Sequence, residues 1–372
     1  MALLSGLTLF VIFSTFGSFS GSSTQASSLP TPTRPGPGKT TFYSGINFTV
    51  VPGFFKQEAE ETDPNEFDWI SENFGLVFKT PSGTPDWPKF KREVARLNNK
   101  AARNERYKVL FLARHGQGHH NVAESFYGTA LWDCFYSLLD GNETARWDDA
   151  LLTKQGEAEA RKAAASWKTQ RKFGIPLPET YLSSPLRRAA STLLLTFTPN
   201  IPNLRPIFIE NLRETLGAHT CDRRHSKADL ALLYPTFTFE KWFFPDAVRP
   251  LSNPLVRDDP LWNPLLRETE PQKQQRVKDA LYEIFGFKLD RNGRNLLSIR
   301  DWELPKGETY VSVTAHSGLI ASALRVLGHR PFRLPTGGMI PVVVKATFGQ
   351  EQEPRLPLES DVVKPCIAPP PE

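Results

Sequence analysis

The sequence predicts an α/β fold: a three-layer sandwich with a mostly parallel central sheet, helices on both faces, and an inserted, partly helical cap. Two observations carry this expectation. Short apolar runs recur at 107–113, 180–183, 206–209, 310–314 and 340–344, each the length of a strand buried on both faces. Helix-like stretches separate them, and strand–helix alternation is the pattern of a parallel sheet covered on two sides.

The elements follow in order. The run at 107–113 is dense in Val, Leu and Phe. Thr153 is placed to cap a helix through Ala158, Ala160, Ala163 and Ala165. After the run at 180–183, Ser184 reads as an N-cap with Pro185 at the first helical position, opening a helix through Leu195. The run at 310–314 leads to a helix over 318–327 that Gly328 stops. The stretch 219–305 breaks this rhythm, being rich in Trp, Phe and Pro, and reads as the inserted cap. No internal repeat is visible.

The folded body is expected over 41–349. Ahead of it, 1–26 reads as a possible leader. Its apolar segment from Leu3 to Phe16 is broken by Ser, Thr and Gly, too short and too mixed for a stable membrane span. A small-residue exit lies near Ala26, but no Lys or Arg precedes the segment. A secreted or secretory-pathway protein and a cytoplasmic one therefore both stand as readings. Residues 27–40 form a Pro/Ser/Thr-rich linker. It holds Gly38-Lys39-Thr40, the end of a phosphate-binding loop, but Thr33 occupies the place of the required earlier glycine. The stretch 350–372, with Pro354, Pro357, Pro365 and a final proline run, is expected to be a loose tail.

The bulk numbers exclude some partners. Of 372 residues, 45 are Lys or Arg and 40 Asp or Glu, a net charge of +5. A nucleic-acid binder clusters its charge more strongly. The basic stretch 89–108 reads as a solvated helix face or as an attractant for anions. Cys134, Cys221 and Cys366 are an odd set, which leaves one bridge or three free thiols.

The chemistry gathers at the strand ends, where ligands sit in such folds. Arg114-His115-Gly116 follows the 107–113 run, and Ser184, Arg187 and Arg188 follow 180–183. Arg213-Glu214 follow 206–209, and His316-Ser317-Gly318 follow 310–314. A phosphoryl group in flight spreads negative charge over three equatorial oxygens, and guanidinium groups bind it through paired charged hydrogen bonds. A neutral imidazole can attack phosphorus, a second imidazole can donate, and a carboxylic acid can protonate the leaving oxygen.

These blocks resemble the histidine phosphatase superfamily in its phosphoglycerate-mutase-like branch. The resemblance rests on Arg114-His115-Gly116-Gln117-Gly118-His119-His120-Asn121, Leu152-Thr153-Lys154-Gln155-Gly156 and Ser183-Ser184-Pro185-Leu186-Arg187-Arg188-Ala189. Leu212-Arg213-Glu214 and Ala315-His316-Ser317-Gly318 complete it. The order is the family's, and the blocks span about 107–320. The extension Val51-Pro52-Gly53-Phe54-Phe55 and the run His219-Thr220-Cys221-Asp222-Arg223-Arg224 are similar to fungal phosphomutase-like proteins. The resemblance implies His115 as phospho-acceptor, Arg114, Arg188 and His316 as phosphoryl ligands, and Glu214 as proton donor. Asn121, Gly116 and Ser317 would lie at the substrate, with Arg223 and Arg224 as secondary anion contacts or plain surface charge. No metal or cofactor is implied. The substrate would be a small phosphorylated metabolite or a phosphoprotein.

Two departures favour hydrolysis over mutase action. Gln117-Gly118 stand where mutases of the family carry Glu-Ser. Thr215-Leu216-Gly217 replace a basic, aromatic run after the catalytic glutamate. Two rival readings stand beside this one: a metal hydrolase built on His115 and His119, and a degenerate protein that only grips phosphorylated partners. Gly116 and Gly118 argue against the helix that the first needs, and the complete residue set argues against the second.

Overall fold

The computed structural model describes residues 44–241, 243–244, 259–286, 307–351 and 361–366. The expected leader and linker lie outside them. Seven strands form one sheet: β1 (Ser44–Val50), β2 (Glu105–Arg114), β3 (Thr180–Ser183), β4 (Ile207–Phe208), β5 (Thr238–Phe239), then β7 (Tyr310–Ala315) and β8 (Met339–Glu351). A separate ribbon pairs β6 (Leu266–Arg267) with β9 (Asp361–Val362). The sheet order is β1-β8-β2-β7-β3-β4-β5. Only β8 runs against its neighbours; β2, β7, β3, β4 and β5 are mutually parallel. The expected α/β class with a mostly parallel sheet is what the chain adopts.

Helices cover both faces: α1 (Trp87–Lys100), α2 (His119–Tyr127), α3 (Thr129–Cys134), α4 (Lys154–Lys172), α5 (Arg187–Phe197), α6 (Lys227–Leu233), α7 (Glu270–Ile284) and α8 (Ser317–Val326). Strand alternation sorts the core. Leu110 and Leu112 of β2 and Val313 of β7 pack with Val277 and Leu281 of α7 and Leu319 and Leu324 of α8. Val109 and Phe111 of β2 pack on the other face with Phe90 of α1, Trp167 of α4 and Leu193 of α5. Because both faces are buried, β2 reads as a continuous apolar run rather than an alternating one.

Trp167 is 1% exposed and meets the rings of Phe74, Phe111 and Phe197. Trp167→Ala is expected to cost about 3–5 kcal/mol of stability, read as a lower urea midpoint at unchanged slope.

Three expectations need correction. Thr153 caps α4 as expected, its Oγ1 accepting the Gly156 N–H at 3.1 Å, but Ser184-Pro185 do not open α5. The Ser184 N–H stays bonded to Thr314 O of β7 at 3.0 Å, so the helix begins two residues after Pro185, at Arg187. The stretch 219–305 is more than a cap. Its β5 adds an edge strand beside β4, and its α7 covers one face of the sheet with α8; 245–258 and 287–306 lie outside the described residues. Residues 361–366 of the tail are not loose either. Val363 N–H bonds Leu265 O at 3.0 Å, Cys366 N–H bonds Cys134 O at 3.2 Å, and Cys134 and Cys366 form a disulfide. Cys221 is free and buried.

Candidate active site

Parallel register brings the strand ends to one edge. Arg114 ends β2, opposite Ala315, the last residue of β7, so His115 and His316 leave the sheet side by side. Their ring centroids are 5.1 Å apart. The His115 N–H bonds Ala315 O at 3.0 Å, continuing the ladder by one step.

The His115 ring has a defined tautomer. Nδ1 lies 2.7 Å from Gly116 O. A carbonyl can only accept, so Nδ1 carries the proton and Nε2 is bare. The Arg188 Nε–H donates to that Nε2 at 3.3 Å. Burial, then the charges of Arg188 and Arg114, hold His115 well below the ordinary imidazole range. The Nε2 lone pair is thus turned toward a guanidinium.

Each partner is fixed from behind. Arg188 is 1% exposed. It donates Nη1–H to Cys221 O at 2.5 Å and Nη2–H to Asp222 Oδ1 at 2.8 Å. Arg267 donates to the other Asp222 oxygen at 3.2 Å. Arg114 donates Nη1–H to Leu334 O at 2.8 Å, while its Nε is buried without a partner. His316 Nε2 meets Ser184 Oγ at 2.7 Å, which explains the serine that did not become a cap. Arg187 turns away, to Asp149.

Glu214 is held by backbone. Oε1 accepts the Thr215 N–H at 3.0 Å and Oε2 the Gly318 N–H at 2.8 Å. A Cβ at position 318 would overlap Oε1, so a side chain there would push the carboxylate out of this position. Arg276 of α7 donates to the carbonyls of Asn211 (3.0 Å), Arg213 (2.8 Å) and Glu214 (2.9 Å). It clasps the loop that carries the carboxylate.

The second sequence block turns out to be a clamp. A Cβ on Gly116 would overlap the Gly156 carbonyl, and one on Gly156 would overlap that of Gln117. Thr153 N–H bonds Gln117 O at 2.9 Å, and the Gln117 N–H bonds Glu159 Oε2 at 2.8 Å. Asn121 Oδ1 accepts the Gly118 N–H at 2.9 Å, which spends its oxygen and leaves its amide nitrogen as the donor. Ser317 is the first residue of α8 and half-buried.

The structure thus assembles Arg114, His115, Arg188 and His316, with Glu214 on the loop facing α8. It does not bring in Arg223 and Arg224 as free cations. Arg223 pairs with Asp140 at 2.8 Å and lies over Trp262. Arg224 belongs to a buried quartet. It pairs with Glu210 at 2.8 Å, Arg213 pairs with Glu210 at 3.0 Å, and both arginines bond Asp259. These are counter-charges that seat the 219–305 stretch on the sheet. Glu240, which burial pushes up to about 10, stays neutral beside them. Arg213, read from sequence as a strand-end candidate, is therefore structural.

His115 and His119 share no helix, since α2 begins at His119. Ligand atoms of His219, Cys221 and Asp222 lie within 4.8 Å of one another. Both Asp222 oxygens, however, already face arginines, a poor setting for a cation. Sequence reasoning missed Asp222 and Arg276 as supports, and placed His120 only beside His115 and His119 in the metal reading; it is buried with its ring centroid 5.3 Å from that of His115. The doubled histidine in the first block was the available signal for His120. No helix among the described residues is long and apolar enough to cross a membrane.

Three buried imidazoles and the part-buried His219 make a prediction about acid. Burial is the largest cause of depression for His115, His120 and His316, and it lowers His219 to about 4. Below an unfolded value near 6.5 the unfolded chain binds protons that the folded chain refuses. Stability is full above that pH and is lost as pH falls toward each folded value. The unfolding free energy read from urea titrations is expected to drop from pH 6.5 downward, by about 1.4 kcal/mol per pH unit for each fully discriminating histidine. A flat profile from pH 7 to 5 would contradict neutral burial.

The parallel sheet and the helix after β3 thus bring two arginines and two histidines together around the bare Nε2 of His115. No protein-family model matches the sequence. The chain is 40% identical over 314 residues to a protein of Arthroderma benhamiae named a probable phosphoglycerate mutase, spanning 81% of this chain and 84% of that one. It is 34% identical over 333 residues to a probable phosphoglycerate mutase of Saccharomyces cerevisiae, spanning 84% of this chain and all of that one. A weaker likeness, 21% identical with a TM-score of 0.30, is to a phosphoglycerate mutase crystal structure from Thermus thermophilus, covering 63% of this chain and 91% of that one. The chain belongs to the family of these fungal phosphoglycerate-mutase-like proteins.

Proposed function

We propose that the chain is a phosphomonoester hydrolase working through a phosphohistidine on His115, with Glu214 as general acid and then general base. One observation carries the reading: the His115 tautomer, with Nδ1–H given to Gly116 O and Nε2 turned toward Arg188. Nε2 would attack phosphorus as the P–O bond to the leaving group breaks. Arg114, Arg188 and His316 would hold the three equatorial oxygens, where fixed donors stabilise charge as it develops. Glu214 would give its proton to the leaving oxygen. It would next take one from the water that attacks the phosphohistidine and frees inorganic phosphate. These side chains supply the needed charge and proton transfer.

The names of the fungal relatives favour a second reading, phosphoglycerate mutase. Against it, Thr215–Gly217 are tied down where a mutase would need substrate contacts. Arg267 donates to the Thr215 and Gly217 carbonyls, and Leu216 N–H goes to Glu268. Incubation with 3-phosphoglycerate, beside a panel of phosphorylated metabolites and phosphoproteins, separates the two. Release of inorganic phosphate supports hydrolysis. Formation of 2-phosphoglycerate without release establishes the mutase reading instead.

A further inference from the structure

His120 has no part in the reaction described above, yet it is 7% exposed and its ring packs on the nucleophile. His115 lies between two imidazoles, with His316 centred 5.1 Å from it and His120 5.3 Å from it. Nδ1 of His120 is walled off. It has no hydrogen-bond partner, and it sits so close to Gly118 that a Cβ there would meet it at 2.6 Å. Nε2 is the nitrogen left to act. We propose that His120 is a phosphoryl-binding residue of this site, donating its Nε2–H to a phosphoryl oxygen alongside Arg114, Arg188 and His316.

The surroundings explain why such a residue would rest neutral and work charged. The charges that weigh most on His120 are those of Arg188 on α5, then His115 and Arg114 at the end of β2 and His219 in the loop after Glu214; His316 lies before α8, and Glu124 stands one turn along α2. An empty pocket of this kind refuses another proton. An entering dianion reverses the sign of the local field, so the charged imidazole becomes the favoured form and its hydrogen bond a charge-assisted one. Ligand binding and proton uptake are then one event.

The inference rests on the phosphoryl-pocket reading, and tungstate tests the two separately. Tungstate is a tetrahedral dianion that does not itself titrate near neutrality. Calorimetric titration of the full chain at pH 7, in buffers of different ionisation enthalpy, gives both affinity and proton uptake. Wild type is expected to bind tungstate with net uptake. His120→Gln keeps a donor that cannot titrate, and should bind while taking up fewer protons, by as much as one. His120→Ala should bind about 10-fold to 100-fold more weakly. Full wild-type affinity and uptake in both variants would overturn the role of His120. Tungstate binding absent from wild type, or failing to compete with phosphomonoester turnover, would overturn the pocket itself. Ring-nitrogen resonances give a second measure in the unmutated chain: the His120 ring should become imidazolium when tungstate is added, and a ring that stays neutral refutes the assignment.

Discussion

His115→Ala is expected to remove turnover of any phosphomonoester that the wild-type chain accepts, by at least about four orders of magnitude in kcat. Losing a covalent nucleophile costs this much because the remaining groups can bind and polarise but cannot divide the reaction into two easier steps. The fold should survive the change. Ala at 115 leaves the backbone bonds from the His115 N–H to Ala315 O and from the Gly337 N–H to His115 O in place. It also removes a buried ring that had to be kept neutral. Rapid-quench labelling should show a phosphoenzyme, stable to base and labile to acid, in wild type and none in the variant. Turnover that persists at the wild-type rate in His115→Ala would sink the nucleophile assignment.

Glu214→Gln carries the second large effect. The amide is nearly isosteric, but its single oxygen can accept only one of the two N–H groups, Thr215 or Gly318, so the loop keeps one of its two carboxylate anchors beside the Arg276 contacts. It cannot donate a proton as an acid does. Substrates with poor leaving groups, such as alkyl phosphates, should slow by about 100-fold to 10,000-fold. A nitrophenyl phosphate leaves without help, so its first step should slow little. Measuring kcat/KM across leaving groups of graded basicity checks this. An equal loss at every leaving group removes the general-acid role and leaves Glu214 as a structural anchor for α8.

Much of this was legible in the sequence, for physical reasons. A strand buried on both faces must be apolar throughout, so β2 and β7 announce themselves, and the residues that follow them are strand ends by construction. Local capping chemistry worked for Thr153, whose partner lies three residues away. It failed at Ser184, whose Oγ accepts the Leu186 N–H at 3.3 Å, short of the helix, and also meets His316, far along the chain. The supports of the site share this difficulty. Asp222 behind Arg188 and Arg276 behind Glu214 are joined by contacts across 34 and 62 residues, which no periodicity encodes. β5 has two residues, below the length at which alternation can be read. For that reason the 219–305 stretch looked like a cap, although it adds both an edge strand and a face helix.

The quartet of Arg213, Arg224, Glu210 and Asp259 has a consequence for how the protein can change over generations. Each single replacement strands a charge in a dry interior, at a cost of about 3–5 kcal/mol, a large share of the roughly 5–15 kcal/mol that domains hold in reserve. An ancestor altering one member would give up much of that reserve until a second change restored the balance. The four positions are therefore expected to vary as one unit. Since Asp259 belongs to the 219–305 stretch and Glu210 to the chain just after β4, that unit couples the evolution of the pocket's surroundings to that of its scaffold.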